Sequence, residues 1–242
     1  MIKNIIKKFI RLLQTPFILK DYFVFRKKQT KPRFELNLKN IYPQIKDKTI
    51  KTGFDRHYIY HTSWAARKVK EINPEFHTDI SSSLYFAGIV SAFVPVKFYD
   101  YRPAELVLGN FESASADLMS LSFSDNSVRS LSCMHVVEHI GLGRYGDPFD
   151  YDGDLKAIKE LRRVLSLGGS LLFVVPIGAV ARIEFNAHRI YTLAQIKEYF
   201  SDFEMKEFSL IPEKTGGIIK DATEKDLEKE NYACGCFHFV KK

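Results

Sequence analysis

Strand-like segments alternate with helix-like segments between residues 77 and 177, and this alternation limits the fold more than any other feature. The strand-like segments are short and apolar, and their order along the chain is FHTDIS, VPVKFYD, NFESASAD, VRSLSCMHVV and SLLFVVPI. Apolar residues at helical spacing lie between some of them, at residues 84–92 and in GDLKAIKELRRVLS. This pattern predicts an α/β fold with a doubly wound, mostly parallel sheet, right-handed crossovers and helices on both faces.

The C-terminal part of the chain departs from this alternation. EMKEFSLIPEK and NYACGCFHFVKK are both strand-like, and the turn-rich segment TGGIIKDATEKDLEKEN separates them. Two late strands joined in this way predict an antiparallel pair at one end of the sheet, including an antiparallel C-terminal strand.

The N-terminal segment carries the excess positive charge. Residues 1–51 contain 14 basic and 3 acidic residues, whereas the rest of the chain contains 22 and 26. Residues 1–13 show the helical spacing of a basic amphipathic helix, which either lies on an anionic membrane surface or packs against protein. We expect a basic extension over residues 1–50 and an α/β domain over residues 51–242, beginning with a helix from Arg56 that Asp55 caps.

The same bulk features restrict the cellular setting and the partners. Three cysteines without a secretory signal predict a reducing, cytoplasmic location, with possible peripheral contact at the inner face of the membrane through residues 1–30. The apolar runs are shorter than the ~20 residues that a membrane-spanning helix needs. The basic residues are confined to the extension and no nucleic-acid motif follows, so a nucleic-acid partner is not expected.

Three aspartates stand at predicted strand ends. Asp79 closes the first strand, Asp100 the second, and Asp117 follows the third. In open α/β sheets, ligands bind outside the carboxyl ends of the strands. A carboxylate after the second strand can accept both ribose hydroxyls, and one after the third can accept from an adenine amine. Together they predict an adenosine pocket, although each aspartate alone is better explained by a solvated turn or a helix cap.

The order of elements and the block from FSDNSVRS to LLFVVPIG resemble the class I S-adenosylmethionine-dependent methyltransferases. More narrowly, VVEHIGLGRYGDP, EFNAHRIY and NYACGCFHF resemble the methyltransferase-like family DUF268, over about residues 55–242. The resemblance implies a Rossmann-like sheet of seven strands and S-adenosyl-L-methionine as the cofactor. It places residues from Asp79 through Ser81 to Ser83 at the methionine end, Asp100 at the ribose, and Asp117 with Leu118 beside the adenine. The HVVEH segment, which begins at His135, would lie below the sulfonium.

One position departs from the family pattern. Ser81 stands where the family has a glycine, whose freedom to adopt positive φ allows close backbone approach. We interpret the loop as a working but altered cofactor site. The expected function is methyl transfer to a small-molecule or carbohydrate-type acceptor, in envelope polysaccharide biosynthesis. The alternative is a non-catalytic accessory protein that keeps the fold and has a degenerate cofactor loop.

The acceptor side is predicted from two segments that follow the fourth and fifth strands. The glycine-rich loop GLGRYGDPFDYDGD does not have the spacing of a calcium loop, and we interpret it as a substrate-covering loop. The candidates for proton transfer are His139, His188 and Glu138. The candidates for holding substrate are Arg144, Tyr145, Asp147, Asn186 and Arg189.

Two patterns suggest a metal, and neither is adopted. HVVEH matches the inverted zincin motif, but that motif needs a helix, whereas His135 closes a predicted strand. Cys234, Cys236 and His238 share one face of a predicted strand, yet a structural zinc needs about four ligands. We therefore interpret the two cysteines as small packed side chains and expect no metal.

Overall fold

The computed structural model describes the backbone of residues 2–242 and the side chains of residues 13–242. It divides into two compact units, one ending at Phe54 and the other spanning Asp55–Lys242. The division falls close to the boundary placed after residue 50. The assignment of residues 1–50 as an extension and 51–242 as the α/β domain stays a prediction.

The N-terminal unit is built on one long helix, α1 (Ile2–Lys27), which continues through Pro16. A short 3₁₀ turn, Leu38–Asn40, follows it. The hydroxyl of Tyr22 donates to Leu36 O at 3.3 Å, and Lys48 pairs with Asp21 at 2.6 Å, so the later segment folds back along the helix. The side chains of residues 1–12, which define the predicted amphipathic face, lie outside the described residues.

The second unit contains a seven-stranded sheet. Its strands are β1 (His77–Ile80), β2 (Val96–Asp100), β3 (Phe111–Ser115), β4 (Val128–Met134), β5 (Leu165–Ile177), β8 (Phe203–Pro212) and β9 (Ala233–Lys241), in the order β3-β2-β1-β4-β5-β9-β8. Strand β9 is antiparallel to both of its neighbours, and the pairings from β3 to β5 are parallel. The predicted fold class, including the antiparallel C-terminal strand, is confirmed.

Helices cover both faces of this sheet: α2 (Arg56–Ile72), α3 (Leu84–Val90), α4 (Gly153–Val164), α5 (Leu193–Tyr199) and the single turn α6 (Glu224–Leu227). Helix α2 begins where predicted, because the side chain of Asp55 accepts from Tyr58 N at 3.1 Å, and it ends at Asn73 in a left-handed conformation. One apolar cluster lies under α2 and α3, and a larger one lies under α4 and α5. Both faces are therefore buried, as parallel sheets require.

Two details differ from the sequence expectation. The sequence LSLGGS predicts that Gly168 and Gly169 stop a helix, but β5 already begins at Leu165, and Gly168 (φ +70°) lies within the strand near a register shift against β4. The segment EFNAHRIY contributes to a small hairpin of β6 (Arg182–Glu184) and β7 (His188–Ile190). A β-bulge and a hairpin whose two strands have three residues each are too short to show a hydrophobic period in the sequence.

We predict that a protein beginning at Asp55 folds without the N-terminal unit, because both apolar clusters consist of residues after Phe54. Thermal unfolding followed by circular dichroism should remain cooperative, with a midpoint within about 4 °C of the full chain. A protein beginning at Ala65 is the control, since it loses half of α2 and should not unfold cooperatively. Loss of cooperativity in the first protein would contradict the predicted domain boundary.

Candidate active site

A cavity of about 320 Å³ opens at the carboxyl ends of β1, β2, β3 and β4. From β1 the chain continues to β2 on one side of the sheet, and from β4 it continues to β5 on the other side, so the strand order reverses between β1 and β4. Open α/β sheets bind their ligands at such a reversal. Of the residues predicted for the site, the following line the cavity: Ser81, Asp100, Asp117, Leu118, His135, His139, Tyr145 and Asp147.

Ser81 adopts the backbone conformation that glycine would favour. Its φ is +54°, its N–H donates to Tyr99 O at 2.7 Å, and its hydroxyl donates to the same carbonyl at 3.2 Å. A non-glycine residue in the left-handed region costs about 1–2 kcal/mol. The turn after β1 is thus retained despite the serine, and its side chain is tied to the neighbouring strand.

The other two serines of this loop are placed differently. The hydroxyl of Ser82 is buried and accepts from Met134 N at 3.0 Å, so it joins β1 to β4. Ser83 precedes α3 as its N-cap residue without a side-chain hydrogen bond, and it does not line the cavity.

The carboxylates of Asp100 and Asp117 face the cavity with similar geometry. Oδ1 of Asp100 accepts from Arg102 N at 2.7 Å, and Oδ1 of Asp117 accepts from Met119 N at 2.9 Å. Each bond braces the turn that follows its strand. Among the described residues, the second oxygen of each carboxylate makes no hydrogen bond, which leaves it able to accept from a ligand. The buried Leu118 adds an apolar surface beside Asp117.

Asp79 lies inside the sheet and does not line the cavity. Its carboxylate accepts from the hydroxyl of Ser132, which also contacts Nε2 of His77 at 2.9 Å; Ser130 contacts the Nδ1 of that ring at 2.8 Å. Burial raises the pKa of Asp79 to about 7. The structure therefore places Asp79 in a buried polar chain that joins β1 to β4, below the cavity.

The HVVEH segment forms a turn after β4. His135 has φ +57°, and residues 137–139 form one 3₁₀ turn, so the two histidines do not share a helix. Glu138 is fully buried, and Nδ1 of His135 donates to its Oε1 at 2.8 Å. Burial acts to raise the pKa of Glu138, but the hydrogen bond from His135 and the positive charge there outweigh it and lower the pKa. Glu138 therefore acts on His135 and does not reach the cavity.

His139 has the geometry of a neutral base. In the tautomer whose Nδ1 donates to Ala187 O at 2.7 Å, its Nε2 carries the lone pair, and this Nε2 lies 3.7 Å from Oε1 of Glu138. Burial lowers the pKa of His139, which favours the neutral ring at neutral pH. Since His139 also lines the cavity, it is the predicted base that the structure positions best.

The loop between β4 and α4 covers the mouth of the cavity. A Cβ at Gly141 (φ +79°) would lie 2.1 Å from Asp150 O, so this close approach requires glycine. The carboxylate of Asp147 accepts from Gly141 N at 2.8 Å and Tyr145 N at 3.1 Å. Asp147 thus organises the loop, although it also lines the cavity.

Tyr145 is the exposed aromatic ring of this loop. The guanidinium groups of Arg102 and Arg144 each lie 5.2 Å from its ring centroid, and the ring of His139 meets it edge-on at 5.8 Å. Arg144 also donates to Ala187 O at 2.9 Å. Tyr145 therefore joins the loop after β2 to the loop after β4 across the cavity mouth.

The three candidates of the EFNAHRIY segment lie outside the cavity. Arg189 is 5% exposed, and it donates to Ile140 O and Tyr151 O at 2.7 and 2.8 Å. It holds the covering loop from beneath. Nε2 of His188 is 3.4 Å from Glu184, and Asn186 is exposed on the hairpin turn.

Sequence reasoning missed several cavity residues. Tyr101 and Arg102 directly follow Asp100, and Met119 follows Leu118, so proximity to the predicted acids was the available signal. Val136, Ile140 and Pro148 are apolar residues that shape the cavity wall, and nothing in the sequence distinguishes them from apolar residues of the core.

These geometric features define a class of fold, that of the class I S-adenosylmethionine-dependent methyltransferases. Residues 121–232 match the family described as "Caenorhabditis protein of unknown function, DUF268". The resemblance to DUF268 is thereby confirmed over those residues. The comparison with curated proteins gives no match.

Solved structures confirm the fold. The 1,6-didemethyltoxoflavin-N1-methyltransferase of Burkholderia thailandensis, bound to 1,6-didemethyltoxoflavin and S-adenosylhomocysteine, is 9% identical, with a TM-score of 0.51 over 75% of this chain and 78% of its own. The YcgJ protein of Bacillus subtilis is 14% identical, with a TM-score of 0.51 over 75% and 98%. The [4+2]-cyclase SpnF is 14% identical, with a TM-score of 0.51 over 73% and 80%. At these identities the likeness concerns the fold alone.

We predict that Asp79 makes stability depend on pH. Its folded-state pKa of about 7 lies above the ordinary aspartate pKa of 3.8, so between these two pH values the unfolded chain releases a proton that the folded chain keeps. The free energy of unfolding should therefore fall as pH rises through this window, by at most about 4 kcal/mol. Urea unfolding of the Asp79→Asn variant should lack this decline.

The control for this experiment is Glu112→Gln, since Glu112 is exposed on the edge strand β3. Its pH profile should run parallel to that of the unmodified protein. A profile for Asp79→Asn that is also parallel would contradict the buried, proton-retaining state of Asp79.

Proposed function

We propose that this protein is a methyltransferase that uses S-adenosyl-L-methionine. The observation that carries the proposal is the convergence of Ser81, Asp100 and Asp117 on one cavity, with a left-handed turn at Ser81 and an uncommitted oxygen on each carboxylate. These groups fit an adenosine: Asp100 accepts from the ribose hydroxyls, and Asp117 with Leu118 meets the adenine. A cavity of about 320 Å³ is within the range of small-ligand sites.

The cofactor supplies a methyl group already activated by its sulfonium. The chain therefore has mainly to orient the acceptor close to that methyl and to exclude water. Tyr145 and the covering loop serve the second purpose at the cavity mouth. His139 accepts the proton of a hydroxyl acceptor through Nε2, since its Nδ1 is committed to Ala187 O.

For the acceptor, we propose a small molecule that bears hydroxyl groups, of carbohydrate type. A neutral imidazole is needed for a hydroxyl nucleophile, and an exposed tyrosine ring beside two arginines suits a polar, ring-shaped molecule. The Burkholderia neighbour holds a small molecule together with S-adenosylhomocysteine. A role in envelope polysaccharide biosynthesis is part of this proposal.

The alternative is a protein that keeps the fold without methyl transfer. The cyclase SpnF shares this fold, so the fold does not decide the reaction. The left-handed turn at Ser81 favours the enzyme, because a side chain in that region costs energy that a mere scaffold has no reason to retain.

The first test is calorimetric titration with S-adenosylmethionine. The Asp100→Ala variant should bind at least ~10-fold more weakly, because hydrogen bonds to a charged group contribute about 1.5–3 kcal/mol. The matched control is Glu105→Ala, an exposed acid in the same loop that does not line the cavity, and it should bind within about twofold of the unmodified protein. Absence of heat with the unmodified protein at millimolar cofactor would count against the enzyme and favour the scaffold.

Helix α1 supports a further proposal, peripheral contact with an anionic membrane through residues 1–30. Among its described side chains, Leu13, Phe17 and Phe25 are strongly exposed, and Arg26 and Lys27 occupy its last turn. Within the described part of the chain, no helix is long and apolar enough to cross a membrane. An exposed apolar surface beside basic residues fits a helix that lies on the bilayer.

We predict that the full chain floats with liposomes containing phosphatidylserine and that a protein lacking residues 1–30 does not. The reason is the loss of both the apolar surface and the basic residues. A double variant, Phe17→Ser with Phe25→Ser, keeps every charge and should float less. Equal flotation of the truncated and full-length proteins would exclude this surface contact.

A further inference from the structure

Two histidines of α2, one histidine after β4 and one cysteine of β9 meet behind the wall of the cavity. One ligand atom each of His57, His135 and Cys234 lies within 4.8 Å of the other two. The ring of His61 is 4.9 Å from that of His135, centroid to centroid. His57, His61 and Cys234 are buried, and none of them belongs to the predicted cofactor contacts.

The distances are close to those that one metal ion would impose. Sγ of Cys234 is 3.4 Å from Nε2 of His135. With zinc bonds of about 2.1 Å to nitrogen and 2.3 Å to sulfur, two ligand atoms of a tetrahedral site lie roughly 3.4–3.8 Å apart. The remaining separations, up to 4.8 Å, need a contraction of about 1 Å, within the reach of side-chain rotation.

Two imidazole nitrogens in this cluster have no hydrogen-bond partner among the described residues. Nδ1 of His61 donates to His57 O at 2.7 Å, so its Nε2 is an unprotonated lone pair in a fully buried ring. Nε2 of His57 is also unsatisfied; Oε2 of Glu213 is 3.3 Å away, without hydrogen-bond geometry. Buried polar groups without a hydrogen-bond partner destabilise the folded state, so two at one place require an explanation.

The surrounding groups hold these imidazole rings in the orientation that is typical of metal-binding histidines. Nδ1 of His135 donates to the buried Glu138 at 2.8 Å, which turns its Nε2 toward Cys234. A carboxylate or carbonyl on the far nitrogen is the arrangement found behind metal-binding histidines. The rings of Tyr58 and Tyr232 stack on His135 and His57, with centroids 5.6 and 5.1 Å apart.

We propose that His57, His135 and Cys234 bind a zinc ion, and that His61, whose unsatisfied Nε2 lies outside the set of ligand atoms within 4.8 Å of one another, rotates toward the ion as the fourth ligand. Imidazole and thiolate donors in a tetrahedral set are the ligands that zinc prefers. Binding deprotonates the thiol of Cys234 and Nε2 of the positively charged His135, and both protons pass to solvent, while Nδ1 of His135 keeps its proton on Glu138. The ion ties α2 to the ends of β4 and β9. Because His135 also lines the cavity, the ion fixes one side of the cofactor site, but the proposal does not depend on methyl transfer.

The test is the metal content of the full chain after dialysis against zinc and then against metal-free buffer. We expect about one zinc per chain by mass spectrometry. Cobalt in place of zinc should give visible absorption bands of a tetrahedral site with a thiolate charge-transfer band. Less than about one tenth of a zinc per chain, together with no cobalt bands, would overturn the proposal.

Variants assign the ligands. His57→Gln and Cys234→Ser should each lower zinc affinity at least ~10-fold. His238→Gln is the matched control, since His238 lies on the same face of β9 but contacts Ser170 at 3.2 Å, and it should retain the ion. Retention by both ligand variants would reject the site. If Cys234→Ser does not fold, the cobalt spectrum of the unmodified protein still decides the question.

Discussion

The pairing of β1 with β2 on one side and β4 on the other decides where every cavity residue lies. In-register parallel pairing brings the last residues of three strands to one edge, so Ser81, Asp100 and His135 converge although they are far apart in sequence. The pairing is reinforced inside the sheet by the buried chain of His77, Ser132 and Asp79. Burying such polar groups destabilises the fold unless they form hydrogen bonds with each other. Here these hydrogen bonds join β1 to β4, the two strands between which the strand order reverses.

The distinction between strand-end acids follows from side-chain alternation. Asp79 is buried within β1, whereas Asp100 is the last residue of β2 and Asp117 lies in the turn after β3, and both of these reach the cavity. Arg189 likewise turns inward and holds the carbonyls of the covering loop. A charged residue near a strand end therefore serves either the ligand or the scaffold, and the sequence does not distinguish the two. What distinguishes them is whether the group is buried within the chain or faces the cavity.

The fold was accessible from the sequence because long apolar strands and one well-capped helix carry strong periodicity. Helix α2 begins at Arg56 after Asp55, and the parallel pairings and the antiparallel end agree with the predicted alternation, whereas the order of the strands in the sheet was not predicted from the residues. About half of the candidate site residues line the cavity, and they either follow the ends of β1 to β4 or belong to the covering loop. The cluster around His57 was not found, since its members come from α2, β4 and β9, which lie about 80 and 100 residues apart in the sequence. Only tertiary packing brings them together.

His135 connects the two sites. Its positive φ turns the chain away from β4, so that one side of the residue lines the cavity while its imidazole faces Cys234. A non-glycine residue holds that conformation only where its surroundings impose it. Here Glu138 fixes one ring nitrogen, and Cys234 meets the other. The wall on which the acceptor would be positioned is thus built from the same turn that the proposed ion would hold. For that reason, a substitution of His57 in α2 would alter the wall of the cavity through the side chain of His135.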